Sequence, residues 1–262
     1  MKMNSKDIKR YLGGMVFGLR LHRFFFRDKA VIAVFHRVNN DIAQNPITCD
    51  VELFREFCAF FKRYFNVISL SELLDRMESG KSISGCLVVT FDDGYLDNFE
   101  NAAPILKEFD IPACFFIATD FIGTQRVPDW DKKWGVESEW MSWEHVKSLS
   151  NDGFEIGAHT KNHIDLGVVE GDEARDEIQE SRLALERQLG KDIDLFSFPF
   201  GRESQFSESN RSLVKELRFR CAPSAYGGIV RSNADPFRMR RHPISPWHES
   251  VWQFGFELLQ EG

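Results

Sequence analysis

The chain has 262 residues, 43% of them hydrophobic, which is enough to bury one full α/β core and too short for more than two small domains. Its formal charge is −7, but residues 1–30 hold eight Lys or Arg (Lys2, Lys6, Lys9, Arg10, Arg20, Arg23, Arg27, Lys29) against Asp7 and Asp28; that +6 leaves −13 for the rest, a body that repels nucleic acid and other polyanions. Five cysteines (Cys49, Cys58, Cys86, Cys114, Cys221), an odd number without CxxC spacing, exclude a disulfide framework and fit buried thiols in a reducing compartment.

Residues 1–30 read as a basic arm ahead of one domain spanning 31–262. The apolar stretch 11–19 is about half of the roughly 20 residues a spanning helix needs. It is followed by Arg20, His22 and Arg23 instead of a small-residue cleavage site, so a cytoplasmic protein at the inner membrane face is expected ahead of a secreted one. With Phe24, Phe25 and Phe26 the arm has the make-up of a basic amphipathic segment resting on an anionic membrane face. A helix packing its apolar side on the body is the equal alternative.

Short apolar, β-branched runs at 31–35, 65–69, 86–91, 113–118, 154–158, 195–198, 218–222 and near 238–241 predict strands. Helical periodicity fills the gaps at 51–64, 96–109, 142–150, 172–189 and 207–217, with Ser142 as an N-cap and Gly190 as a C-terminal stop. The alternation predicts β/α units around a mainly parallel sheet. Residues 123–140, carrying Asp129, Trp130, Asp131, Trp134 and Trp140, are long for a βα connection and read as an insertion. They are either a surface loop pinned by aromatic anchors or the wall of a sugar groove in which Trp130 and Trp140 stack on pyranose faces.

The run 86–91 ends at Asp92-Asp93-Gly94-Tyr95. Two acids at the end of a buried strand are costly unless a positive group joins them, and Gly94 allows a turn that brings both into one cleft. After the strand at 154–158 come His159 and His163, whose i, i+4 spacing places both imidazoles on one face of a helical turn. Two histidines and one carboxylate leave a coordination position open, as in catalytic zinc sites. His22, His145 and His248 are assigned ordinary structural roles.

Thr90-Phe91-Asp92-Asp93-Gly94-Tyr95 and His159-Thr160-Lys161-Asn162-His163 together resemble the two metal motifs of the polysaccharide deacetylases of carbohydrate esterase family 4, the NodB-homology domain, over about residues 31–243. Phe35-His36-Arg37-Val38 and Ser197-Phe198-Pro199-Phe200-Gly201 resemble further segments of one branch. The resemblance implies a distorted (β/α)-barrel with about seven parallel strands. It implies a divalent metal on Asp93, His159 and His163, zinc first, with cobalt, nickel or manganese as alternatives. Asp92 would be the general base and the Phe200 N–H an oxyanion donor, with His36 and Pro199 near the substrate. The Arg that opens the third motif in many members is missing; Arg241 is taken as its substitute ahead of Arg202. His242, in Arg240-Arg241-His242-Pro243, is the nearest match to the family's general acid, with an ordinary surface histidine as the alternative. The reaction implied is removal of N-acetyl groups from N-acetylhexosamines of a glycan or its lipid-linked precursor. Hydrolysis of another amide, such as a formamide, and a non-catalytic carbohydrate-binding member of the fold are the alternatives.

Overall fold

A computed structural model describes residues 5–43 and 45–261; Lys2, counted above in the basic arm, lies outside them. In chain order the helices are α1 (Ser5–Gly18), α2 (His22–Phe25), α3 (Val51–Tyr64), α4 (Leu70–Glu78), α5 (Ala103–Glu108), α6 (Asp129–Trp134), α7 (Trp143–Asn151), α8 (Gly171–Leu189), α9 (Glu208–Glu216) and α10 (Val251–Glu261). The strands are β1 (Lys29–Phe35), β2 (Arg37–Val38), β3 (Thr48–Cys49), β4 (Asn66–Val67), β5 (Cys86–Phe91), β6 (Ala113–Ile117), β7 (Glu155–Ala158), β8 (Val230–Arg231) and β9 (His242–Pro243).

The main sheet runs β7-β6-β5-β1-β8, with β4 on the start of β5 and β9 on the end of β1; β8 alone is antiparallel. Bridges from Ala158 to Phe196 and from Leu195 to Cys221 carry the curl beyond β7, and Ser224 N–H donates to Met239 O on the way back to β9. The result is a distorted (β/α)-barrel. The strands expected at 195–198 and 218–222 survive only as these isolated bridges.

Parallel strands carry side chains on both faces, which is why β1 and β5 are apolar throughout. Outward residues such as Val31, Ala33, Phe35, Leu87, Val89 and Phe91 join a phenylalanine-rich layer under α3 and α10, while Ile32, Val88, Cys114 and Phe116 fill the barrel floor. Burying one such phenylalanine contributes about 2–3 kcal/mol. α3 is capped by Asp50, whose carboxylate accepts from Glu52 and Leu53 N–H, and sets Phe54, Phe57, Cys58 and Phe61 on that layer. α7 starts on Ser142 and α8 ends on Gly190 in the left-handed conformation, both as expected. The helix expected at 96–109 is divided: Pro104 has no N–H for the ladder, and a π-helical turn over Asn98–Ala102 precedes α5.

Two further expectations shift. The arm's described residues are built into the body, with Phe17 and Phe26 in the core, and β1 begins at Lys29. The insertion at 123–140 holds α6, whose Asp131 is fully buried and salt-bridged to Arg37 at 2.8 Å. All five cysteines are free and buried, and burial pushes the Cys58 and Cys221 thiols up to about 12. No helix among the described residues is long and apolar enough to cross a membrane.

Candidate active site

In a parallel sheet every strand ends on the same side, and here those ends deliver the polar residues. β1 and β5 run in register to Phe35↔Phe91, so His36 and Asp92 leave the sheet together; Asp92 N–H donates to Phe35 O. At the end of β6, Ala118 N–H donates to Asp93 O, and His159 follows β7 with its N–H on Ile117 O.

Asp93, His159 and His163 converge, their ligand atoms all within 4.8 Å of one another. His163 Nε2 lies 3.1 Å and His159 Nε2 3.4 Å from Asp93 Oδ1. His159 Nδ1 is 2.8 Å from Ser197 O; donating there, it leaves a lone pair on Nε2, facing the carboxylate. Asp93 Oδ1 is buried and has no hydrogen-bond donor, because neither imidazole aims an N–H along it. A buried carboxylate oxygen left without a donor is costly, and one that stands between two imidazole nitrogens is what a divalent cation would complete. The donor set of two nitrogens and one oxygen therefore fits the implied metal.

The backbone that makes this geometry is strained. Eight described non-glycine residues have positive φ, and four of them, Asp93 (77°), Thr160 (60°), His163 (53°) and Phe200 (59°), stand at the site, where the fold must hold them against that cost. His159 to His163 is an irregular loop and not the helical turn expected from the spacing. Its shape is set by Glu177 of α8, whose carboxylate accepts from Lys161 N–H (3.0 Å), Asn162 N–H (2.9 Å) and Asn162 Nδ2 (2.7 Å). Sequence reasoning missed Glu177, although a signal exists: it shares the buried stripe of α8 with Ala174, Ile178 and Leu185.

Asp92 is clamped by Arg241, with Nη1 to Oδ1 at 2.7 Å and Nη2 to Oδ2 at 2.6 Å. The remaining guanidinium N–H groups go to Ser224 O, Thr90 Oγ1 and Ser197 Oγ, so all five are used in a fully buried position. Burial raises the Asp92 pKa, while the Arg241 charge and hydrogen bonds more than offset it and leave the carboxyl below its ordinary value. Arg202 lies on the cleft wall instead.

The cleft above these residues is lined by His36, Asp93, Trp130, His163, Phe200 and Trp247, among others. Trp130 packs on the His163 ring at 4.7 Å and edge-on to Phe200 at 5.8 Å. Its indole N–H donates to Tyr95 OH, which donates to Asp131, so the Arg37–Asp131 bridge fixes the insertion against the site. Phe200 sits in a tight turn closed by Gly201 N–H on Pro199 O, and among the described residues the Phe200 N–H has no partner.

Three expected site residues are elsewhere. His242 points out of the barrel, packed on Phe254 with Nδ1 3.2 Å from Glu261 Oε2, because its neighbour Arg241 takes the inward direction. Trp140 is buried between Tyr95 and Phe121, its N–H on Arg126 O, and offers no face to a sugar. Pro199 is buried behind the cleft wall.

The chain is 22% identical over 161 residues to YxkH of Bacillus subtilis (strain 168), covering 62% of this chain and about half (52%) of that one. It is 24% identical over 216 residues to the poly-beta-1,6-N-acetyl-D-glucosamine N-deacetylase of Staphylococcus aureus (strain MRSA252), covering 79% of this chain and 69% of that one. Its fold is similar to the Streptococcus pyogenes deacetylase PplD, with a TM-score of 0.73 and 21% identity over 89% of this chain and 97% of that one. The family model for polysaccharide deacetylase matches residues 79–222, more than half of the chain. The protein belongs to the polysaccharide deacetylase family.

Proposed function

We propose that the protein is a metal-dependent hydrolase that removes N-acetyl groups from N-acetylhexosamine units of a glycan or its lipid-linked precursor. The observation that carries this reading is the donor-less Asp93 Oδ1 between His159 and His163, beside an Arg-clamped carboxylate in an open aromatic cleft. The name of the Staphylococcus aureus relative supports an N-acetylglucosamine polymer as the substrate class.

When bound by Asp93, His159 and His163, a divalent ion supplies Lewis acidity that polarises a carbonyl and makes water more acidic. Asp92 accepts the proton of the attacking water; both its oxygens receive Arg241 donors but keep a second lone pair each. Arg241 keeps Asp92 ionised and fixed in direction, so the proton arrives at a defined atom. The water oxygen adds to the acetamide carbonyl carbon, and the charge growing on the carbonyl oxygen meets the free Phe200 N–H. The C–N bond breaks, acetate leaves, and the proton from Asp92 completes the free amine. Trp130 and Trp247 offer faces for the sugar ring.

The test is acetate release from N-acetylglucosamine oligomers with zinc supplied. Asp92→Asn should lower kcat by about 10²–10⁴-fold, while His242→Gln, outside the cleft, should leave it within about twofold. Undiminished release by Asp92→Asn would refute the mechanism, and formate release from formylated sugars in its place would move the reading to a formamide hydrolase.

A further inference from the structure

We propose that α1 and α2 form an interfacial anchor that rests this protein on an anionic lipid bilayer. α1 is apolar on two sides. One side docks on α10: Gly13 meets the Trp252 carbonyl so closely that an added Cβ would stand 2.0 Å from its oxygen, and Phe17 stacks among Phe60, Tyr64 and His22. The other side carries Ile8, Tyr11, Met15 and Leu19, spaced three or four residues apart on one stripe and turned to solvent.

Tyr11 is 67% and Leu19 65% exposed, and the stripe continues through Leu21, Phe24 (78%) and Phe25. Seven of the ten exposed large hydrophobic residues among those described fall between positions 8 and 25, so this is a concentrated patch and not scattered surface apolarity. Arg10, Arg20, Arg23 and Arg27 border it, all exposed, and no described carboxylate pairs with them. Lys6 and Lys9, by contrast, are paired with Glu249 and Glu257.

Apolar side chains flanked by free guanidinium groups complement a surface of acyl chains under anionic headgroups. A second copy of this chain is a poorer occupant, because a symmetric contact would bring those four cations against their equivalents. A soluble polyanion would leave the apolar stripe without a partner. With no described helix able to span a membrane, attachment is peripheral. Lys6 at the start of α1 touches Glu249, two residues past Trp247 on the cleft wall, so the cleft lies beside the anchored flank. The proposal does not depend on the reaction catalysed.

The experiment is flotation of the full chain with phosphatidylcholine vesicles with and without phosphatidylglycerol. The wild type should float with the anionic vesicles and be released by salt near 0.5 M or above, where the Debye length falls to a few Å. Arg23→Glu with Arg27→Glu, and separately Tyr11→Ser with Met15→Ser and Leu19→Ser, should each weaken binding at least about tenfold with circular dichroism unchanged. The Arg pair is exposed and keeps the test valid where the serine variant folds poorly. Wild-type protein that stays unbound, or variants that float equally well, would overturn the proposal. A wild-type dimer in sedimentation, dissolved by the serine substitutions without any flotation, would assign the stripe to a second copy and also overturn it.

Discussion

Among the described residues there are two clusters of two histidines and a carboxylate, and how far their polar atoms are satisfied separates them. Asp93, His159 and His163 gather at the strand ends with Asp93 Oδ1 lacking any donor. His242, His248 and Glu257 gather outside the barrel under α10, and there every demand is met: Glu257 takes His248, Lys9 and Gln253, and His242 pairs with Glu261. The residue types are alike, and only the first cluster has unmet valence. Ligand chemistry therefore marks a metal site only where the protein itself leaves the acceptors unsatisfied.

The largest effect that tests this contrast is metal content. We expect His163→Ala to lose bound zinc with at least a hundredfold loss of affinity, and His248→Ala to keep it; elemental analysis after dialysis decides, and equal loss from both variants would erase the distinction. Next in size is the Asp92–Arg241 pair, buried and bidentate. Arg241→Met leaves Asp92 charged and unpaired in the interior and should cost about 3–5 kcal/mol in urea unfolding. A loss under 1 kcal/mol would mean the pair is not the buried clamp described.

The smallest effect belongs to the satisfied cluster. The His248 hydrogen bond, with Lys9 and Gln253, opposes burial and lowers Glu257 from 4.5 to about 2. A carboxylate depressed in the folded state adds stability above its unfolded pKa and loses it as pH falls toward the folded one. Glu257→Gln should therefore destabilise by up to about 3 kcal/mol at pH 7, and that difference should shrink as pH drops from about 4.5 to about 2. A pH-independent difference would show that Glu257 acts by packing alone.

Much of the site was legible because its signals are local. Asp92 and Asp93 close an apolar run, and His159 and His163 follow another, so parallel strands bring them to one rim whatever the loops do. The helical turn inferred from the His spacing was wrong because Glu177, fourteen residues past His163, captures the loop's N–H groups and forces Thr160 and His163 to positive φ. Trp130 and Trp140 are equivalent by residue type. Their fates separate because the buried Arg37–Asp131 bridge turns one toward the cleft, while Tyr95 and Phe121 enclose the other.

Composition and periodicity established β/α units around a mainly parallel sheet, and two short motifs a candidate metal site and, through the family resemblance they carry, the distorted barrel, since apolar patterning and side-chain chemistry are properties of neighbouring residues. Which side chains face inward was decided by the tertiary structure alone. Arg241 reaches Asp92 across 149 residues, and its inward direction obliges His242 to face out, so the residue nearest in type to a general acid cannot reach the cleft. Strand alternation permits either phase, and only closure of the barrel around a buried carboxylate selects one.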